Sequence, residues 1–173
     1  MSVYRFRIAL SDVDRGIYEQ LDLRTALHQS ENEAFLLTRV IAYALSYEDG
    51  LAFGPGLCDP DEPAIAARSP EGTRLWIEIG NPSARRLHKA AKAARALRVF
   101  TYKDPEPWLR ELAGEQIHRA AEIGIFALDP AFLGELASTL ERDNSWTLVH
   151  QTGELILTAG EKTLMGTVRA LRL

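Results

Sequence analysis

Between Arg74 and Tyr102 the chain passes from a strand, through a hard stop, into a helix and back into a strand, and this succession restricts the fold more than any other segment. The stretch RLWIEI (residues 74–79) is rich in β-formers. Gly80-Asn81-Pro82 interrupts it, and Ser83 opens ARRLHKAAKAARAL (residues 84–97), which is dense in strong helix formers. Val99-Phe100-Thr101-Tyr102 then reads as a short buried strand.

Upstream, the spacing predicts a helix over residues 31–47. Ser30 followed three residues later by Glu33 is a capping-box pattern, Leu37, Val40, Ile41, Ala44 and Leu45 recur at helical intervals, and Asp49-Gly50 ends the run. Residues 51–53 and 64–68 read as short strands. From Ser30 to Tyr102 the order is therefore helix, three strands, helix, strand.

The flanks add strands at both ends. Residues 3–10 alternate apolar and cationic side chains, the period of a half-exposed strand. A turn at residues 11–16 returns the chain along residues 17–27 as a hairpin, with its register open. Pro105 and Pro107 break the chain before a short helix at residues 108–114, and residues 123–128 form another buried strand. Asp129-Pro130 caps a helix to about Leu140. Residues 146–151 and 154–159 pair across Thr152-Gly153, and a third strand lies near Val168. The expected class is α/β, a mixed sheet flanked by helices.

A length of 173 residues fits one domain spanning residues 1–173, with a full hydrophobic core. The balance of 20 Lys and Arg against 24 Asp and Glu attracts no polyanion as a whole, so nucleic-acid contact requires a local basic face. Cys58 has no internal disulfide partner. Arg5 and Arg7 interrupt the only apolar run near the N-terminus, and no stretch approaches the roughly 20 apolar residues of a membrane span. A soluble, cytoplasmic protein is expected.

Phosphate-binding loops, dinucleotide fingerprints, Gly-x-Ser-x-Gly elbows and HExxH helices are absent from the sequence. Cys58, with no histidine near it, reads as an inert buried thiol, and His28, His88, His118 and His150 share no metal-ligand spacing. The carboxylates are more informative. Asp59, Asp61 and Glu62 crowd the entrance to the second strand, and Glu78 shares a strand face with Trp76. If those strands pair, Asp61 or Glu62 approaches Glu78, and such a cluster needs a shared proton or a cation. Oxygen-only ligands favour Mg²⁺ or Mn²⁺. The plain alternative is a solvated turn. Glu31 is a third candidate on the first helix, competing with the role of a first-turn acid favoured by the helix dipole.

The helix after the Glu78 strand carries a basic face. Arg85, Lys89 and Lys92 fall within about 60° on the helical wheel, flanked by Arg86 and Arg95, while Leu87, Ala90, Ala94 and Leu97 take the opposite side. A cationic stripe beside a metal site suits a phosphodiester; an Ala-rich surface helix also shows such residues to water.

Glu31 after Ser30, Gly56-Leu57-Cys58, Asp61-Glu62-Pro63, Leu75-Trp76-Ile77-Glu78, Gly80, Pro82 and Arg86-Leu87-His88-Lys89-Ala90 together resemble the bacterial YaeQ family. The resemblance implies a variant of the PD-(D/E)xK, restriction-endonuclease-like fold, with its helix–three strands–helix–strand core. It implies that Glu31 assists a metal site and that Asp61 (or Glu62) and Glu78 bind Mg²⁺ or Mn²⁺. The pattern of that nuclease superfamily places a lysine two residues after the last acid, where this chain has Gly80. Some members of the superfamily move that lysine to the next helix, which makes Lys89 the candidate. Arg86 stands second, because a guanidinium clamps phosphate but is no base at neutral pH. Arg85, Arg86 and Lys92 are then nucleic-acid contacts. Two functions follow: a Mg²⁺-dependent nuclease or related phosphodiesterase, or an inactive nuclease-fold module that binds nucleic acid or a protein partner in transcription or repair. The fold also leads us to expect the first helix against the sheet that carries Glu78.

Overall fold

The computed structural model describes residues 2–55 and 61–173, so Cys58 and Asp59 lie outside the described residues. Two compact units are present, one from residues up to Ser46 together with Leu128–Arg169, the other from Tyr47–Ala127 with Ala170–Leu173. Helices and strands mix in both, as the α/β reading expects. Among the described residues no helix is long and apolar enough to cross a membrane.

The first unit is built on the N-terminal hairpin. β1 (Ser2–Asp12) and β2 (Ile17–Leu27) pair antiparallel from Ser2↔Leu27 to Asp12↔Ile17, which settles the register. The alternation of β1 sends Phe6, Ile8 and Leu10 into the core. Arg5 and Arg7 take the other face, where they bond Asp22 and Asp143. β8 (Asp143–Gln151) runs parallel to β1, and β9 (Glu154–Ala159) and β10 (Lys162–Leu171) follow antiparallel. α1 (Glu33–Leu45) packs on β1, β2 and α4 (Pro130–Ala137), burying Leu36, Leu37, Val40 and Ile41. Gly166 on β10 lies where a methyl group would overlap the Phe132 ring of α4, so this contact requires glycine.

The start of α1 corrects the sequence reading. Asn32, not Ser30, is the N-cap, its side-chain oxygen accepting from the Phe35 amide at 2.8 Å. Ser30 turns back instead, its hydroxyl 2.8 Å from the His28 ring, and Glu31 stands before the helix rather than on its face.

The second unit orders its strands β3 (Leu51–Phe53), β4 (Ile65–Ser69), β5 (Gly72–Ile79), β6 (Ala94–Thr101) and β7 (Gly124–Leu128) in sequence. β4 is antiparallel to its neighbours, whereas β5, β6 and β7 are parallel. The crossover from β5 to β6 is α2 (Ala84–Ala93), capped by Ser83 as expected. α2 ends earlier than the run of helix formers predicts. Ala94–Leu97 extend into β6, with Trp76 opposite Leu97. Arg119 closes over this end of the helix, donating to the carbonyls of Ala91 in the last turn and of Ala94 and Arg95 just beyond it, at 2.8, 2.6 and 3.1 Å. Pro105 opens α3 (Pro105–Ala113) behind the Asp104 cap rather than blocking it, since a first-turn proline loses no helical bond. Leu87, Ala90 and Ala91 of α2 and Trp108 of α3 form one core with Trp76 and Ile125.

Asp12 joins the ends of β1 and β8. Only 1 % exposed, it accepts from Arg15 Nε at 2.6 Å and from His150 Nδ1 at 3.0 Å. Burial pushes its carboxyl up, but the bonds from Arg15 and His150 outweigh that and hold it below the usual 3.8. A folded pKa below the unfolded one gives stability that is present above the unfolded value and lost as pH falls through the folded value. Asp12→Asn should therefore destabilise the protein by about 1–3 kcal/mol at neutral pH. In urea unfolding the gap to the wild type should narrow below about pH 4; a gap of constant size through that range would remove this role.

Candidate functional site

The second unit gathers the residues that the sequence singled out at the end of β5. Glu78 follows Trp76 on the same face of the strand, and both are buried. The Glu78 side chain, 7 % exposed, accepts two bonds on Oε1: from Trp76 Nε1 at 2.7 Å and from Arg86 Nε at 2.9 Å. Arg86 is the third residue of α2, and its own backbone N–H donates to the Ser83 hydroxyl. The cap that starts the helix therefore also fixes where this guanidinium begins. Its Nη2 continues to the Glu62 carbonyl at 3.1 Å, linking β5 to the segment before β4.

The other two acids also meet cations. Asp61 Oδ1 lies 2.5 Å from Lys89 Nζ, both side chains being mostly exposed, and the Glu62 carboxylate lies 2.5 Å from Arg68 Nη2. The hydrogen bond and charge of Lys89, with a smaller contribution from Arg86, hold the Asp61 carboxyl below its usual range. Because water screens the exposed Asp61–Lys89 pair, it is an easily opened contact. The Glu78–Arg86 pair is more enclosed and correspondingly harder to break.

This geometry bears on the expected metal. The repulsion among Asp61, Glu62 and Glu78, for which Mg²⁺ or Mn²⁺ is the expected remedy, is relieved by Lys89, Arg68 and Arg86. Among the described residues no group of three or more His, Cys, Asp or Glu side chains is placed to hold a metal ion. As arranged, the described donors do not fit a divalent cation.

The backbone at Gly80, the position where the resemblance leads to a lysine, favours glycine. Its φ of +101° lies in the region that side chains rarely adopt. Its N–H donates to the Phe100 carbonyl at 2.8 Å, holding the conformation at the end of the β5–β6 ladder. A lysine there would be strained whatever its charge could contribute.

On α2 the cations divide by face. Leu87, Ala90 and Ala91 are buried, whereas Arg85, Lys89 and Lys92 are exposed. Arg95, expected on the flank of this stripe, belongs to β6 because the helix has already ended. Glu31 lies in the first unit, where Oε1 accepts from the His28 amide at 2.7 Å and Oε2 is buried without a bonding partner among the described residues. The sequence reading placed Trp76 beside Glu78 but did not identify the indole as its donor. It also passed over Arg68 and Arg119, whose partners lie 6 and at least 24 residues away.

Comparison with known proteins gives one family. The model for the family described as YaeQ protein matches residues 1–168. The YaeQ protein of Escherichia coli (strain K12) is 27 % identical over 166 residues, covering 94 % of this chain and 91 % of that protein. The crystal structure of YaeQ from Xanthomonas axonopodis pv. citri superposes with a TM-score of 0.91 at 30 % identity, covering 99 % of this chain and 98 % of the other. That from Pseudomonas syringae gives 0.88 at 29 %, covering 99 % and 96 %.

The Glu78–Arg86 contact makes a measurable claim on stability. Arg86→Met and Glu78→Gln should each destabilise by about 1–3 kcal/mol, because the first leaves the buried Glu78 carboxylate without its cation and the second removes the charge opposite the Arg86 guanidinium. The double variant should fall short of the sum by at least about 0.5 kcal/mol in denaturant unfolding. Strict additivity would mean that the two side chains are not energetically coupled.

Proposed function

The chain belongs to the YaeQ family, and we propose that this member binds the phosphodiester backbone of nucleic acid through the outer face of α2, as a nuclease-like fold whose acidic corner is neutralised by its own cations. The observation that carries this reading is the division of labour on α2. Arg86 is committed to Glu78 and the Glu62 carbonyl, whereas Arg85 and Lys92 stand exposed on either side of Lys89. Residues three and four apart on a helix lie about 5–6 Å from one another, so the cations present a short positive track. Such a track gains affinity by releasing counterions from the polyanion, and the net charge of −4 does not prevent this locally. Phosphate contacts of this kind position a ligand without reading its sequence.

The chain order α1, β3, β4, β5, α2, β6 is compatible with the PD-(D/E)xK core, and this supports the nuclease-like part of the reading. Fold alone does not carry activity. A metal-dependent nuclease is the second reading, favoured by the contact of Asp61 with Lys89, two groups that the motif needs at one corner. Its ion would be Mg²⁺ or Mn²⁺, and Asp61, Glu62 and Glu78 would have to exchange Lys89, Arg68 and Arg86 for that cation before they could serve as its ligands. Lys89 would meet the charge on the phosphate.

Fluorescence anisotropy with labelled single- and double-stranded DNA and RNA, between about 50 and 200 mM salt, tests the first reading. Binding should weaken steeply with salt, and Arg85→Met and Lys92→Met should each lower the slope of log K against log salt by about one. Absence of binding to all four ligands at the lower salt would overturn it. Single-turnover cleavage with Mn²⁺ separates the second reading. Turnover that Lys89→Met reduces by about 10²–10³ would establish the enzyme, whereas binding without turnover retains the module.

A further inference from the structure

His88 lies three residues after Arg85 and one before Lys89, so Arg85, His88, Lys89 and Lys92 share one stripe of α2. It differs from the other three in having no obligatory charge, and the structure restricts its chemistry further. Its Nδ1 accepts a hydrogen bond from the backbone N–H of His118 at 3.0 Å. A backbone amide only donates, so Nδ1 must offer its lone pair, and in the neutral ring the proton resides on Nε2. The nitrogen on the other side of the imidazole is thereby made a donor.

The amide that imposes this tautomer is itself anchored. Arg119, the next residue, adopts a left-handed backbone at φ 50°. Its guanidinium bonds the carbonyls of Ala91, Ala94 and Arg95 just beyond His88 on the same helix and strand. The His118 ring stands edge-on to that of His88, with centroids 6.4 Å apart. The pair does not make a two-histidine metal site, because a ligating nitrogen needs a free lone pair. Here the Nδ1 lone pair is engaged and Nε2 carries the proton.

We propose that His88 is a phosphate-contacting residue of the α2 face, a neutral N–H donor oriented by His118 and Arg119 that bonds a non-bridging oxygen of a phosphodiester held by Arg85, Lys89 and Lys92. This rests on the binding reading above and adds a component that the cations cannot supply. Lysine and arginine attract the polyanion over a distance, and salt weakens that attraction. A neutral donor releases no counterion and acts only on an acceptor at bonding distance. Its contribution to affinity is therefore insensitive to salt.

Two measurements on the full chain test the proposal. Long-range proton–nitrogen NMR should report His88 with its proton on Nε2; a proton on Nδ1 overturns the proposal whatever the protein binds. In the anisotropy assay, His88→Phe should weaken binding about 2–10-fold, equivalent to one net hydrogen bond, with an unchanged salt slope. His88→Gln, which restores an amide donor, should recover part of the loss, and circular dichroism identifies any variant that fails to fold. If wild-type binding is salt-dependent and Lys92→Met lowers the slope, but His88→Phe binds as tightly as wild type, only the His88 assignment falls. A reduced slope in His88→Phe would show the ring acting as a cation and also overturn it. Loss of all wild-type binding removes the underlying function together with this refinement.

Discussion

A carboxylate withdrawn from water at the end of a strand has to be given donors, and at Glu78 that requirement organises the second unit. One donor comes from the same strand, because alternation puts the Trp76 indole two residues away on the same face. The other must cross a turn. Gly80-Asn81-Pro82 stops β5, Ser83 caps α2, and Arg86 then lies within reach of the acid. With Arg86 directed there and Leu87, Ala90 and Ala91 in the core, the rotation of the helix is set. Arg85, Lys89 and Lys92 have no inward position left, so the basic track is a consequence of satisfying one buried acid.

Two of the ion pairs at this corner contribute differently. Glu78 is withdrawn from solvent and would be left uncompensated without Arg86, so their contact resists disruption. Asp61 and Lys89 are respectively 70 % and 66 % exposed, and each retains access to water when separated. The former supports the scaffold, and the latter can exchange partners when a polyanion or an ion arrives. Lys89 can therefore serve either reading of the function without a change in the core.

Elements whose signals are local were legible in the sequence. Residues 17–27 were expected as a strand and β2 occupies Ile17–Leu27; Ser83 and Asp129 cap α2 and α4 as their neighbours suggested. Errors arose where another side chain or a strand pairing claims groups that the local pattern assigns elsewhere. The run of alanines after Lys92 favours a helix, but pairing with β5 claims Ala94–Leu97 and Arg119 seals the earlier end. At Ser30 the His28 ring takes the hydroxyl that a capping box would use. In the candidate site, Trp76 beside Glu78 follows from alternation alone, whereas the partners of Asp61 and Glu62 depend on tertiary contacts with α2 and β4. Counting carboxylates showed their mutual repulsion but not the arginines and lysine that relieve it.

The backbone at Gly80 also limits how such a protein can change over generations. A mutation placing lysine there would have to come with a rebuilt turn, because the backbone is held at φ +101°, a conformation that favours glycine, by its bond to the Phe100 carbonyl. Selection proceeding by single substitutions meets a valley at that step. Position 89, on an exposed helix face, can alter its charge without disturbing the sheet. Adaptation of this corner is thus channelled through α2, where a charge can be gained or lost by one substitution without rebuilding a turn.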